Sequence, residues 1–405
     1  MNTTKFGNTL SRLRKKLGMT QTELAERLCV SNKAVSKWEN GGGYPEITLL
    51  APLSEVLGVS VDYLLKGDMC GIAIAGNIIV DIIHHLDKFP ERSMLANIIG
   101  TSRAVGGCVP NTLTDLARMD SDIFLSALGK VGNDENGRYV VSQLKKYGID
   151  VSGIKIDDGG DTSSDLVMTD SRNGERTFFY SRGTSGDFDI DDIDIAALDC
   201  RIFHIGYLLL LDRLDSDDAE YGTRMARLLD AVSRRGIKTS IDVVSEDGDR
   251  FEKIIVPSLK YCDYVIVNET ECCRVSGLPP RDESGRLIIG NIRRTMEIFF
   301  NHGVREKVIV HCAEGGFLME RSGAFFSCGS FVLPDGYIKG SVGAGDAYAA
   351  ACLYGIYMGY EPMHMLEFAA GAAACNLSEA DSVSGMKSRD KIEQLCAMYE
   401  KRKLE

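Results

Sequence analysis

Gly340-Ser341-Val342-Gly343-Ala344-Gly345-Asp346-Ala347-Tyr348 is the stretch on which the fold turns. An apolar run follows, from Ala347 to about Met358, and it predicts a helix. Small residues at a helix start let backbone N–H groups point at an anion, with the helix dipole assisting. An aspartate there would repel a phosphate unless it has another task. The natural task is to accept a proton from an attacking hydroxyl. The stretch therefore suggests phosphoryl transfer. Taken alone, Gly-x-Gly-Asp also fits a plain glycine turn with the aspartate as a cap.

Around it, from Cys70 onward, apolar runs alternate with helical segments. Strand character marks Gly71–Ile79, Ile123–Leu128, Ile202–Leu209, Thr239–Val243, Tyr264–Val267 and Val308–His311. Helical spacing marks Asn111–Met119, Gly137–Tyr147, Thr223–Arg234 and Ile292–Phe300. Such alternation signals an α/β fold, a mainly parallel sheet with helices on both faces. Ligands in these folds sit at the C-terminal ends of the strands.

Gly343-Ala344-Gly345-Asp346 resembles the signature of the ribokinase (PfkB) family of carbohydrate kinases. Four more elements match in that family's order: Gly76-Asn77-Ile78-Ile79-Val80-Asp81, Gly106-Gly107-Cys108-Val109-Pro110-Asn111, Gly129 to Gly137, and Val267-Asn268-Glu269-Thr270-Glu271. The resemblance spans essentially 69–400 and implies a ribokinase-like three-layer fold with a small β-lid. It implies Asp346 as general base, with the backbone of Gly343, Ala344 and Gly345 as an anion hole. Asp81, Gly106, Gly107 and Asn111 would hold the sugar, and Arg182 would contact it. Asn268, Glu271, Ser341 and Gly316 would serve ATP and magnesium, Glu271 through water. Other readings stand beside these: Asn111 as an N-cap, Asn268 as a strand-end turn residue, Arg182 as a lid-surface arginine. Lid strands are expected within 81–103 and 162–182, with Ser164–Met168 and Arg176–Tyr180 extended. His84 and His85 fall on the lid and are read as surface residues. Relatives use such lids to dimerise, so a homodimer is implied.

Two positions depart from the family. Gly340 stands where an aspartate helps bind a monovalent cation in some members, which leaves that cofactor open. His311-Cys312-Ala313-Glu314-Gly315-Gly316 replaces a Thr-x-Gly-x-x-Gly pattern near the nucleotide, so contacts from His311 and Ala313 stay open too.

Residues 1–66 read differently. Phe6, Leu10, Leu13 and Leu17 recur at helical spacing up to Gly18. Thr20 and Glu23 form a capping-box pattern before Leu24, Ala25 and Leu28. Ser31 is placed to cap a helix to about Glu39. Further helices are expected at Ile47–Leu57 and Val61–Leu65. Met19–Ala25 with Ser31–Glu39 resembles the Cro/lambda-repressor (XRE) helix-turn-helix family. The resemblance implies contact with double-stranded DNA through Gln21, Asn32, Lys33, Ser36 and Lys37, with Trp38 in the core. Two domains are expected, 1–67 and 68–405, joined by the short linker Lys66-Gly67-Asp68.

Charge agrees with that division. Residues 1–66 hold nine Lys/Arg and six Asp/Glu, a balance of +3, so the net −12 of the chain leaves −15 on the rest. Twelve cysteines include no C-x-x-C pair, against both a zinc site and a disulfide framework. Met1–Lys16 is polar and basic, and the longest apolar stretch, Ala347–Tyr360, is too short to span a bilayer. A cytoplasmic location is expected, without membrane contact. The leading reading is an ATP-dependent kinase of a small sugar or sugar acid. A regulator whose kinase fold mainly senses sugar, and a nucleoside kinase, are the alternatives.

Overall fold

Caps set the boundaries of the N-terminal unit in the computed structural model, which describes residues 3–59, 61–66, 71–245 and 250–404. Thr20 Oγ1 accepts the Glu23 amide at 3.2 Å, and Glu23 Oε2 accepts the Thr20 amide at 2.6 Å. The expected capping box thus opens the helix Gln21–Arg27. Ser31 caps Asn32–Glu39 through the Ala34 amide. Phe6, Leu10, Leu13, Leu24, Ala25, Leu28 and Trp38 form the core of this unit. Leu17 does not join them: the first helix, Thr3–Lys16, ends before it, and the side chain is 49% exposed. The helical spacing ran one position past the helix. Buried under the core, Arg14 Nε and Nη2 grip the two oxygens of Glu39 at 2.5 and 2.9 Å.

The chain forms two compact units, Met1–Cys70 and Gly71–Glu405. Gly67 and Asp68 of the expected linker lie outside the described residues.

The strands of the larger unit are β1 (Ile72–Gly76), β2 (Ile79–Leu86), β3 (Ile98–Gly106), β4 (Leu125–Gly132), β5 (Asp150–Asp157), β6 (Ser164–Asp170), β7 (Arg176–Ser181) and β8 (Ile202–Leu208). A short hairpin, β9 (Asp217–Asp218) and β10 (Gly222–Thr223), precedes β11 (Lys238–Val243), β12 (Tyr264–Asn268), β13 (Lys307–Cys312), β14 (Gly315–Glu320) and β15 (Phe325–Gly329). The main sheet has the order β15-β14-β13-β12-β11-β8-β1-β4-β5. From β13 to β5 every neighbour is parallel, while β14 and β15 are antiparallel at one edge. Ile266 of β12 and Ile309 of β13 join one core with the helices Cys108–Met119, Ala344–Met358 and Pro362–Asn376. Val265, Val267, Val308 and Val310 alternate with them and are equally buried, so both faces of the sheet are covered.

A second sheet, β3-β2-β6-β7, is the lid. The apolar run Gly71–Ile79 is therefore not one strand. It breaks after Gly76, and β2 leaves the main sheet for the lid. Gly76 has φ +130, and a Cβ there would lie 1.5 Å from the Gly206 carbonyl oxygen. Only glycine lets the backbone pass this point. His84 and His85 are half-buried on β2, with His84 Nδ1 3.0 Å from Thr101 Oγ1.

Candidate active site

The helix expected from Ala347 begins at Ala344, three residues earlier. Gly343 is its N-cap, with φ +78, and a Cβ there would lie 2.4 Å from the Ser382 carbonyl oxygen. Asp346 consequently stands in the first turn. The Ala344 amide is turned to the Ser341 carbonyl at 3.3 Å. Those of Gly343, Gly345 and Asp346 have no hydrogen-bond acceptor among the described residues. A small cluster of free donors thus sits at a helix start beside a carboxylate.

Asp346 is 7% exposed. Asn111 Nδ2 donates to its Oδ2 at 2.8 Å, and the Tyr207 hydroxyl donates to its Oδ1. Burial pushes the carboxyl up to about 6, and the donations from Tyr207 and Asn111 work against that rise. Asn111 is not an N-cap: Gly107 holds that position on Cys108–Met119, and Asn111 lies one turn further on. Its Oδ1 accepts from Ser382 Oγ at 3.0 Å, so its amide is aimed in one direction.

Asp81, on the lid strand β2, packs on Gly106 so closely that a Cβ there would lie 2.7 Å from both carboxylate oxygens. Burial, then Asp165, pushes its carboxyl up to about 7, offset in part by Arg176. Gly107, with φ +85, approaches the Asn77 carbonyl, where a Cβ would sit at 2.9 Å. Arg182 is engaged elsewhere: Nη1 donates to Asp212 Oδ1 at 2.7 Å and to the Leu209 carbonyl at 3.1 Å.

The Asn-x-x-Glu motif is a capping box in its own right. Asn268 Oδ1 accepts the Glu271 amide at 2.8 Å, and Glu271 Oε2 accepts the Asn268 amide at 2.9 Å. Ser245 Oγ donates to Glu271 Oε1 at 2.8 Å. Burial pushes the Glu271 carboxyl up to about 7. Asp242, at the end of β11, is a buried acid whose carboxyl is raised by burial, by Glu271 and by Asp346.

Beside these groups opens a cavity of about 590 Å³, lined by Asn268, His311, Ser341, Gly345 and Tyr348 among others. Gly315, not Gly316, forms its wall. Gly316 packs beneath Tyr348, where a Cβ would meet the phenol oxygen at 1.8 Å. Among the described residues no group of three or more His, Cys, Asp or Glu could hold a metal ion.

A family model for pfkB family carbohydrate kinases matches residues 69–389. The chain belongs to that family. A helix-turn-helix model matches residues 10–64, so this carbohydrate kinase carries a helix-turn-helix domain at its N-terminal side. The kinase is 27% identical over 302 residues to a 5-dehydro-2-deoxygluconokinase of Clostridium perfringens, covering 72% of this chain and 84% of that one. It is 24% identical to the ribokinase of Schizosaccharomyces pombe, over 79% and 96% of the two chains. Its fold matches Thermotoga maritima ribokinase with a TM-score of 0.64 at 19% identity, covering 81% of this chain and 99% of the other. Arabidopsis thaliana ribokinase, complexed with ribose and ATP, matches with the same score and identity over 81% and 98%.

Tyr207, Asp242 and Ser382 were not singled out in the sequence. Asp242 alone left a signal, since it is an acid near the C-terminal end of the run Thr239–Val243, where ligands gather in parallel sheets. In the helix-turn-helix unit, Asn32, Lys33 and Lys37 are exposed and Ser36 is half-buried. Gln21 donates to Glu39 Oε2 at 2.8 Å, and Asn32 to Thr22 Oγ1 at 2.8 Å. Trp38 lies in the core as expected. Among the described residues no helix is long and apolar enough to cross a membrane.

Proposed function

We propose that this kinase transfers the terminal phosphoryl group of ATP to a hydroxyl of a small sugar or sugar acid, and that its N-terminal domain binds double-stranded DNA. One observation carries the enzymatic reading: a buried carboxylate, Asp346, in the first helical turn beside free amides, with a cavity at the same helix start. Asp346 takes the proton as the hydroxyl attacks. The amides of Gly343, Gly345 and Asp346 face the charge on the moving phosphoryl group. Asp81, Gly106, Gly107 and Asn111 hold the acceptor, and Arg182 joins them once released from Asp212. Asn268, Ser341 and Gly315 bound the nucleotide.

Asp242 and Glu271 offer hard oxygen ligands of the kind magnesium takes. Both Glu271 oxygens already accept hydrogen bonds, which suits action through water. Magnesium, when bound, would neutralise charge on the phosphates. A sugar acid is favoured over a neutral sugar by the name of the bacterial relative, a 5-dehydro-2-deoxygluconokinase. Use of ATP together with DNA binding supports a location in the cytoplasm.

The test is ADP release with a panel of sugars, sugar acids, polyols and nucleosides. Turnover with a sugar acid is the expected result. Turnover with nucleosides alone would replace the reading, and turnover with none would remove it.

The lid bares Ile98, Ile99, Phe178 and Phe179, each more than half exposed, on strands β3 and β7. These side chains lie on the two edge strands of the lid sheet, and apolar groups bared there suit a second copy of the chain. Light scattering should give a dimer mass, and a monomer would discard that assignment. A dimer would carry two DNA-reading heads. DNA affinity of the full chain should fall steeply with salt as counterions compete. Lys33→Ala should weaken binding and lower the salt slope by about 1. A salt-insensitive signal on any duplex would rule out DNA recognition.

A further inference from the structure

Asp346 has an unusual set of neighbours for a base. The groups on which its charge bears are themselves acids or near-neutral donors: Asp81 from β2, Cys108 and Asp115 from the helix Cys108–Met119, Asp242 from β11, and Tyr207 from β8. No Lys or Arg hydrogen-bonds to it among the described residues. Burial without a cation drives a carboxylate towards its neutral form. A neutral Asp346 could not accept a proton. Its charge is supported by the helix start and by two uncharged donors, one on each oxygen.

We infer that Tyr207 is a positioning residue for the base, its phenol hydroxyl fixing the orientation of the Asp346 carboxylate and holding it in the proton-accepting form. The inference rests on the reading of Asp346 as base.

Three features support it. The Tyr207 side chain donates to Oδ1 while Asn111 donates to Oδ2, so the two donors clamp the plane of the carboxylate and leave a lone pair on each oxygen for the acceptor hydroxyl. The backbone that aims the phenol is locked. A Cβ on Gly206 would lie 2.8 Å from Cys108 Sγ and 3.2 Å from Asp242 Cβ, and the Gly206 carbonyl already abuts Gly76. Burial and the surrounding acids also hold the phenol well above its ordinary range. Tyr207 therefore stays protonated wherever the enzyme works, and acts as a constant donor that does not compete for the proton. A hydrogen bond to an ionised oxygen is about twice as strong as a neutral one, so its loss falls on the ionised form of Asp346.

The experiment compares the full chain with Tyr207→Phe, measuring kcat/KM across the pH range with 5-dehydro-2-deoxygluconate and ribose as acceptors. The acidic limb of the wild-type profile is expected near pH 6. In Tyr207→Phe it should move up by about one pH unit. The loss should be about tenfold below the limb and shrink to a few-fold on the alkaline plateau. A pH-independent loss with the limb unmoved would overturn the inference and leave Tyr207 a packing residue. A lowered KM with an unmoved limb would overturn it differently, by making the phenol a plug that substrate displaces. Should Tyr207→Phe fail to fold, 3-fluorotyrosine at the same position keeps the shape and strengthens the donor, and the limb should then move down. An unmoved limb there counts equally against the inference. Absence of wild-type turnover with every acceptor would refute the reading of Asp346 itself, a separate outcome.

Discussion

Asp346→Asn is expected to lower kcat by about 10²–10⁴-fold while leaving acceptor and ATP affinity within a few-fold. The substitution removes the ability to take a proton and little else. Asparagine matches aspartate in shape, and its carbonyl oxygen can still accept from Asn111 Nδ2, now at 2.8 Å from Oδ2. Its amide would face the Tyr207 hydroxyl, which can rotate to accept instead of donate. The site should therefore stay folded, and the free amides at the helix start should still meet the phosphates. Steady-state kinetics and calorimetric binding, measured together, separate the two effects. Turnover near the wild-type level would mean that another group takes the proton. Weakened binding equal to the loss in rate would mean that Asp346 holds substrate and does no chemistry.

The carboxylate was legible because its signal is local. Glycines, an acid and an apolar helix stand in adjacent positions, and Asn111, Asn268 and Glu271 also sit in short motifs. The helix start was misplaced by three residues because glycine disfavours helix interiors, yet here Gly343 serves as the cap and Gly345 fits the first turn. Tyr207 and Ser382 left no trace in the sequence. Their bonds close over separations of 139 and 271 residues, and neither belongs to a repeated spacing. The break in the Gly71–Ile79 run has the same origin. Periodicity sees an apolar stretch, but the chain turns at Gly76 because of Gly206, which is distant in sequence. In the N-terminal unit nearly everything was readable, since caps and helical spacing act over a few residues. The exception that matters is the ion pair between Arg14 and Glu39, 25 positions apart.

That pair makes the second large prediction. Arg14→Met is expected to destabilise the N-terminal unit by about 3–5 kcal/mol, because Glu39 would be left as a buried charge without its cation. The side chains are 9% and 4% exposed. Burial alone would raise the Glu39 carboxyl, but Arg14 and Gln21 outweigh it and hold it below the ordinary range. A unit this small has a total stability of the same order, so the melting temperature should fall by tens of degrees. DNA binding should vanish with it, while sugar phosphorylation, housed in the other unit, should persist. An unchanged melt would show that the pair contributes nothing. The double variant Arg14→Met/Glu39→Leu sharpens the argument. Replacing a buried pair by apolar residues of similar volume is often neutral, so the fold should return. Glu39 Oε2 also holds Gln21, the residue that the helix-turn-helix resemblance implies as a phosphate contact. The restored fold should therefore still bind DNA less tightly than the wild type, separating the stability of the head from its ability to read a duplex.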